Sequence, residues 1–166
     1  MIETPYEGAT MEQLRSPLVR EFLGIHDMFR NQLTAIMNYI EDLVSGEAAL
    51  TSPETRLQIQ AVVQAGSQYT QVLHFHHHAE TSSLFPALQK EGLETDIVDR
   101  LNADHDDIGV MIDQFNDAVH NLVAVDPDVM NHDLRRLADA LRAHLAYEET
   151  HVCPLMARWS EWPPMH

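Results

Sequence analysis

Apolar residues recur at intervals of three and four along four long segments, and this spacing places them on one face of an α-helix. The first segment opens at Ser16-Pro17, where a hydroxyl N-cap precedes proline at the first helical position. It closes at Ser45-Gly46, and glycine is a common helix terminator. Its apolar stripe is Leu18, Phe22, Ile25, Phe29, Leu33, Ile36, Ile40 and Leu43. The pattern predicts one long amphipathic helix between these two signals.

Three more segments follow the same rule. The second segment opens at Ser52-Pro53 and continues through Pro86 to Gly92. A loop at 123–129 separates the third segment from the fourth. Pro154 should end or bend the fourth helix. Their stripes are Leu57, Val62, Ala65, Tyr69, Leu73, His76 and Glu80; Val98, Leu101, His105, Ile108, Ile112, Phe115, Val119 and Leu122; and Leu134, Leu137, Leu141, His144, Glu148 and Val152.

The chain shows no alternating pattern of the kind that marks a strand. Four long amphipathic helices with short connections predict an all-α fold, an antiparallel up-down-up-down four-helix bundle. We expect a single domain over residues 1–166, with an N-terminal arm at 1–15, the bundle at 16–157 and a tail at 158–166. A short extra helix in the C-terminal segment after Pro154 is compatible with the pattern.

Charge and composition narrow the class of partner. The formal net charge is −16, with 10 Lys and Arg against 26 Asp and Glu, and this disfavours contact with nucleic acid. No apolar run approaches the roughly 20 residues that cross a bilayer, and the N-terminus lacks the basic and apolar regions of a signal peptide. A single cysteine, Cys153, fits a reducing compartment. We therefore expect a cytoplasmic protein without a nucleic-acid or membrane partner.

Polar residues occupy positions on these apolar faces. His76 and Glu80 lie four residues apart, and His144 and Glu148 repeat that spacing on the fourth helix. A lone histidine, His105, takes an inward position on the third helix, and the first helix carries His26 beside its stripe. Burying carboxylates and imidazoles without a partner costs several kcal/mol per ion. The sequence therefore predicts a bound cation.

The spacing also recurs beyond these pairs. His76-x3-Glu80-x5-Pro86 has the same offsets as His144-x3-Glu148-x5-Pro154. One His-x3-Glu pair alone is common on exposed helix faces, where it gives slight stabilisation. Two such pairs on core stripes, with two further inward histidines, favour metal binding over a solvated surface.

The order and spacing of these residues resemble the haemerythrin-like (HHE cation-binding) domain in its H-HxxxE-H-HxxxE variant. The resemblance spans about residues 15–157 and includes Leu84-Phe85-Pro86. It implies a four-helix bundle that holds two iron ions joined by carboxylates and by an oxo or hydroxo bridge, with iron preferred to manganese or zinc. The ligands that it implies are His26, His76, Glu80, His105, His144 and Glu148.

The third helix departs from the oxygen-carrying members of that family, which have two histidines one turn apart there. Here Gly109 and Leu101 stand four residues after and before His105. Two six-coordinate irons take about twelve bonds, and this ligand set with one bridging oxygen leaves about two positions open. Tyr69 is our candidate for one of them, entering the space left by Gly109, because phenolate oxygen is a good donor to ferric iron. The alternatives are a core tyrosine whose hydroxyl is bonded elsewhere, or ligation by Tyr39, Tyr147 or Tyr6.

The other histidines and the cysteine carry weaker expectations. His74, His77 and His78 are expected at the surface, although a shift of one residue in helix phase would turn His77 or His78 inward. His151 lies close to the ligand face, where it could support a ligand, and Cys153 is expected to be a small buried residue. His120, His132 and His166 are expected at the surface.

An open position on a redox-active iron in an apolar setting suits small diatomic molecules and peroxide. We expect a non-haem di-iron protein that binds or reduces O2, H2O2 or NO, with weak catalase, peroxidase or NO-scavenging activity. The alternative is an oxygen, redox or iron sensor that signals to a separate protein partner without turnover. Passive storage or structural binding of metal is a third hypothesis.

Overall fold

The computed structural model describes residues 9–45, 52–121, 124 and 126–164. Its helices are α1 (Pro17–Ser45), α2 (Pro53–Ala79), α3 (Phe85–Lys90), α4 (Thr95–His120) and α5 (Pro127–Met156). A 3-10 turn precedes α1 at Gln13–Arg15, and a π-helical turn at Glu80–Leu84 joins α2 to α3. The described residues contain no strand, and none of their helices is long and apolar enough to span a bilayer.

The four long helices form the predicted all-α bundle. Helix α1 packs against α2 and α5, and α4 packs against the same two helices. The N-terminal signals act as expected: Ser52 accepts a hydrogen bond from the backbone N–H of Thr55 at 3.1 Å, and Ser16 accepts one from Val19 at 3.4 Å. Proline follows each of these caps, where its missing N–H costs no helical hydrogen bond.

Two apolar clusters fill the bundle, and a polar layer separates them. One cluster holds Phe29 to Leu43 of α1 and Leu134 to Leu145 of α5, and the other holds Leu18 to Leu23 of α1 and Val152 to Met156 of α5. Between them lie the buried polar side chains His26, His77, Glu80, His105, His144, Glu148 and Glu149. The tertiary fold therefore brings the buried histidines and glutamates of the described helices to one level.

Several local predictions are wrong in detail. On α2, Leu57 is 69% exposed and Ala65 is also exposed. Gly66 faces the core instead, where the Phe115 ring packs close to it. The second segment is not one continuous helix, because the π-turn interrupts it before α3. Helix α5 begins at Pro127, within the expected loop, and it ends at Met156, two residues after Pro154.

The termini are only partly described. Residues 157–164 contain no further helix, so the described tail does not provide the extra helix that the pattern allowed. Residues 1–8 of the expected arm lie outside the described residues, as do Leu122, Tyr6 and His166.

Candidate metal centre

The polar layer contains two groups of side chains that could each hold a metal ion. Within each group, one ligand atom from every member lies within 4.8 Å of the others. The groups are His26, His76, Glu80 and Glu148, and His77, Glu80, His105 and His144. All six histidines and glutamates expected as ligands are thus brought together, and His77 joins them.

Glu80 belongs to both groups, and its two oxygens face different histidines. Its Oε1 lies 2.8 Å from His76 Nε2, and its Oε2 lies 3.4 Å from His105 Nε2. The π-turn begins at Glu80, and π-turns inside helices are frequent at functional sites. This arrangement suits a carboxylate that bridges two ions.

Glu148 also lies between the two histidine sets. Its Oε2 is 3.5 Å from His26 Nε2 and 3.7 Å from His144 Nε2. The two carboxylates therefore stand between a pair of imidazoles, His26 and His76, and a set of three, His77, His105 and His144.

A hydrogen-bond chain fixes the tautomer of His105. The Thr81 hydroxyl donates to Asn102 Oδ1 at 2.9 Å, so its oxygen is left to accept from His105 Nδ1 at 3.0 Å. The proton of this imidazole therefore lies on Nδ1, and the Nε2 lone pair faces the centre. His105 Nε2 also lies 3.1 Å from His144 Nε2, so these two nitrogens converge on one point.

His26 and His144 are oriented by carboxylates in the same way. His26 Nδ1 lies 2.9 Å from Glu149 Oε1, which Arg30 also contacts at 2.7 Å, and His144 Nδ1 lies 3.4 Å from Asp104 Oδ2. Such partners on the far nitrogen hold a ligating imidazole in place and make it a better donor to a metal. Each Nε2 is again the atom left facing the centre.

Most of the side-chain atoms that face the centre lack hydrogen bonds. Among the described residues, the buried side-chain atoms with no hydrogen-bond partner are Nε2 of His26, His76 and His77 and both oxygens of Glu80 and Glu148. His76 Nε2 lies 2.8 Å from Glu80 Oε1, but the two groups are not aligned for a hydrogen bond. Buried polar groups are normally paired. Seven unpaired atoms in one layer therefore indicate a binding site, and a cation fits these donor atoms.

Electrostatics in the layer agree with this assignment. Burial, followed by the neighbouring His105, lowers the pKa of His77 to about 2 and that of His144 to about 4, so both remain neutral donors. Burial, and then the carboxylates of Glu80 and Glu149, raises the pKa of Glu148 well above its usual range. Burial alone would also raise the pKa of Glu80, but His76 and the other histidines around it hold that pKa well below its usual range. Without a cation, this pair of carboxyl groups cannot easily carry two negative charges.

The expected surface position of His77 is wrong. Its side chain is 5% exposed, and its ring stacks on His105 with centroids 4.0 Å apart. His74 and His78, in contrast, are exposed. A signal for His77 was present in the sequence, since it follows the core residue Leu73 by four positions and precedes Glu80 by three.

The tyrosine expected as a ligand has another partner. The Tyr69 hydroxyl donates to the carbonyl oxygen of Phe29 at 3.2 Å, and burial raises the pKa of Tyr69. This is the alternative of a core tyrosine with a satisfied hydroxyl. The space that Gly109 leaves lies beside the exposed His74, since a Cβ atom at this position would be 3.9 Å from His74 Cε1. The imidazole that joins the predicted set in this layer is that of His77 from α2.

The remaining candidates have other surroundings. Tyr39 is 45% exposed, and Tyr147 packs on His151 with ring centroids 4.4 Å apart. Cys153 is fully buried, as expected, and burial raises its pKa to about 12. The exposed positions of His120 and His132 also agree with the sequence.

Aromatic rings surround the imidazoles. Phe22 lies 4.2 Å from His26 between ring centroids, Phe29 lies 4.9 Å from His76, and Phe85 stacks on His105 at 5.5 Å. Phe85 belongs to the Leu84-Phe85-Pro86 segment, in which Leu84 is also buried and Pro86 is exposed. The apolar enclosure limits solvent access to the site.

The comparison with protein families agrees with this fold and geometry. The model of the Hemerythrin HHE cation binding domain matches residues 18–156. The chain therefore belongs to this family, and cation binding is the property that the family description carries. Searches of curated proteins and of solved structures gave no significant match.

Proposed function

We propose that this protein holds two iron ions in the polar layer of the bundle and binds or reduces small oxidants there, such as O2, H2O2 or NO. The observation that carries the proposal is the placement of two buried, unpaired carboxylates between two sets of imidazoles. Imidazole and carboxylate together suit iron or manganese, and also accept zinc. Iron, when bound, supplies one-electron steps between its ferrous and ferric states.

The uneven division of the histidines supports a reactive centre. Five imidazole nitrogens, four carboxylate oxygens and one shared bridging oxygen leave about one of twelve positions open. The side with three histidines has its positions filled by this count. The side of His26 and His76 keeps the open position, where a small ligand would bind.

The residues of this chain prepare the site for that ligand. Glu149 and Thr81 hold protons on the outer nitrogens of His26 and His105, so their inner nitrogens are free to bind a metal. Phe22, Phe29 and Phe85 exclude bulk water around the imidazoles. Arg30 offsets the charge of Glu149 at the edge of the layer.

The test combines metal analysis with a reaction. Protein produced with ample iron should contain about two irons per chain, and its ferrous form should be oxidised by H2O2 in a rapid single turnover. Replacing Glu148 or His76 by Ala should remove at least one iron, whereas His132→Ala, at an exposed position, should not. Iron content that is unchanged in both ligand variants would disprove the ligand assignment.

The same preparation separates the alternative functions. Reversible spectral change with O2 and no consumption of peroxide would favour a carrier or a sensor that acts through a partner. Unfolding on chelation without any redox response would favour a structural ion. Sustained consumption of peroxide or NO would favour an enzyme.

A further inference from the structure

A cavity of about 290 Å³ opens beside the two-histidine side of the centre. Its walls are the apolar side chains of Phe22, Ile25, Ala79, Leu84 and Trp162, and its inner end reaches His76 and Glu80. The cavity is therefore a route between the surface and the side of the centre that keeps an open position.

Trp162 forms the outer wall. The described tail returns from the end of α5 towards α1, and the Trp162 indole N–H donates to Glu21 Oε2 at 3.1 Å. The indole is half-buried and packs on the apolar cluster of the α1 N-terminal half. This hydrogen bond holds the ring across the opening and leaves its apolar face towards the cavity.

The size of the cavity exceeds what a diatomic molecule or H2O2 requires. A dry cavity of roughly 150 Å³ already takes up benzene. An apolar wall also favours an alkyl or aryl group over water or a polar molecule. Glu21 and Glu80 line the same cavity in a chain of net charge −16, and this charge opposes the entry of anions.

We propose that this cavity binds the organic part of an uncharged alkyl or aryl hydroperoxide and presents its O–O group towards His76 and Glu80. The inference rests on the proposed reduction of oxidants and names a substrate class for it. In that reaction the O–O bond of ROOH breaks, and two electrons and two protons convert it to ROH and water. The electrons come from two ferrous ions that become ferric, and an external thiol or similar reductant restores them.

Binding is tested without turnover, on zinc-loaded protein. Trp159→Phe leaves Trp162 as the only tryptophan, because the chain has two. Titration with cyclohexanol should change the Trp162 emission to saturation, whereas myo-inositol, with the same ring size but a polar surface, should not. Ile25→Phe, which fills the cavity from α1, should weaken cyclohexanol binding by about tenfold or more. Ala79→Leu narrows it from α2 and serves if the first variant does not fold.

Selectivity is tested on ferrous protein in single-turnover oxidation by cumene hydroperoxide and by H2O2. Ile25→Phe should lower the ratio of the rate with cumene hydroperoxide to the rate with H2O2 by about tenfold, and Trp162→Ala should also change this ratio. Trp159→Ala is the matched control, since Trp159 lies in the same tail but lines a different, polar surface depression, and it should keep the ratio. Equal ratios in all variants, or a cyclohexanol response no different from that to myo-inositol, would overturn the proposal. Failure of both peroxides to oxidise the iron, with cyclohexanol still bound, would refute the proposed function and not the cavity.

Discussion

His76 and His77 are neighbours in sequence and point to different parts of the centre. On a helix their side chains are about 100° apart, so each faces a different neighbouring helix. His76 lies against Phe29 of α1, while His77 stacks on His105 of α4. One dipeptide therefore supplies an imidazole to each of the two candidate ion sites.

Replacing His77 by Ala should lower the iron content by about one ion per chain, because the three-histidine group loses a donor that nothing nearby replaces. Metal analysis of the purified variant measures this. His74→Ala is the control, since His74 is on the same helix and exposed. If both variants kept the iron content of the unmodified protein, His77 would not be a ligand.

Glu149 is not a metal-facing residue, but it is 2% exposed and bonds His26 Nδ1. Glu149→Gln keeps the shape but removes the charge that strengthens His26 as a donor. We expect iron affinity to fall by about 10- to 100-fold, measured by competition with a chelator. Glu41→Gln, at an exposed position of α1, should leave the affinity unchanged, and an equal loss in both variants would point to a general charge effect.

At the scale of the elements, the π-turn sets the relation between the ligands of α2 and the core residues of α3. Glu80 opens the turn, and Leu84 closes it on the buried Phe85 and Leu88. A π-turn accommodates one residue more than a regular α-turn. Its presence lets both Glu80 and Phe85 face the bundle interior.

Inserting one alanine after Ser82, which is exposed, adds a residue beyond the one that the π-turn already accommodates, and it should rotate α3 by about 100° relative to Glu80. Leu84 and Phe85 would then leave the core, and we expect a loss of about 3 to 5 kcal/mol in the free energy of unfolding together with lower iron content. Urea denaturation measures the first effect. Ser82→Ala keeps the chain length and should be nearly neutral, and an insertion variant of equal stability would show that the turn has no such role.

At the scale of the whole molecule, the polar layer divides the core into two apolar parts. Stability of the fold and the presence of metal are therefore linked, because ions that bind the folded layer stabilise it by mass action. Chelation should lower the melting temperature of the protein. The loss arises from carboxylates and imidazoles that remain buried without a partner.

Glu148→Gln should raise the melting temperature of the metal-free protein, and it should abolish the stabilisation by iron. The pKa of Glu148 in the folded state is raised above its ordinary value of 4.5, so metal-free protein loses stability as the pH rises from that value towards the folded pKa. The variant lacks this titration. We expect it to melt a few degrees above the metal-free parent at neutral pH, with a smaller difference in acid, as thermal denaturation over a pH series measures. A parent that melts higher at every pH would contradict the assignment of an unfavourable buried charge.

The sequence by itself determined the four long helices, the N-caps of the first two and six inward-facing histidines and glutamates, because helical periodicity and terminal hydrogen bonds are local properties. It also carried the family resemblance that the match over residues 18–156 confirms. The choice between His77 and Tyr69 required the tertiary structure, since the width of the buried face of α2 depends on how α1 and α4 pack against it. The same holds for the pairing of Glu149 with His26 and for the cavity behind Trp162, which join residues more than 100 positions apart in the chain.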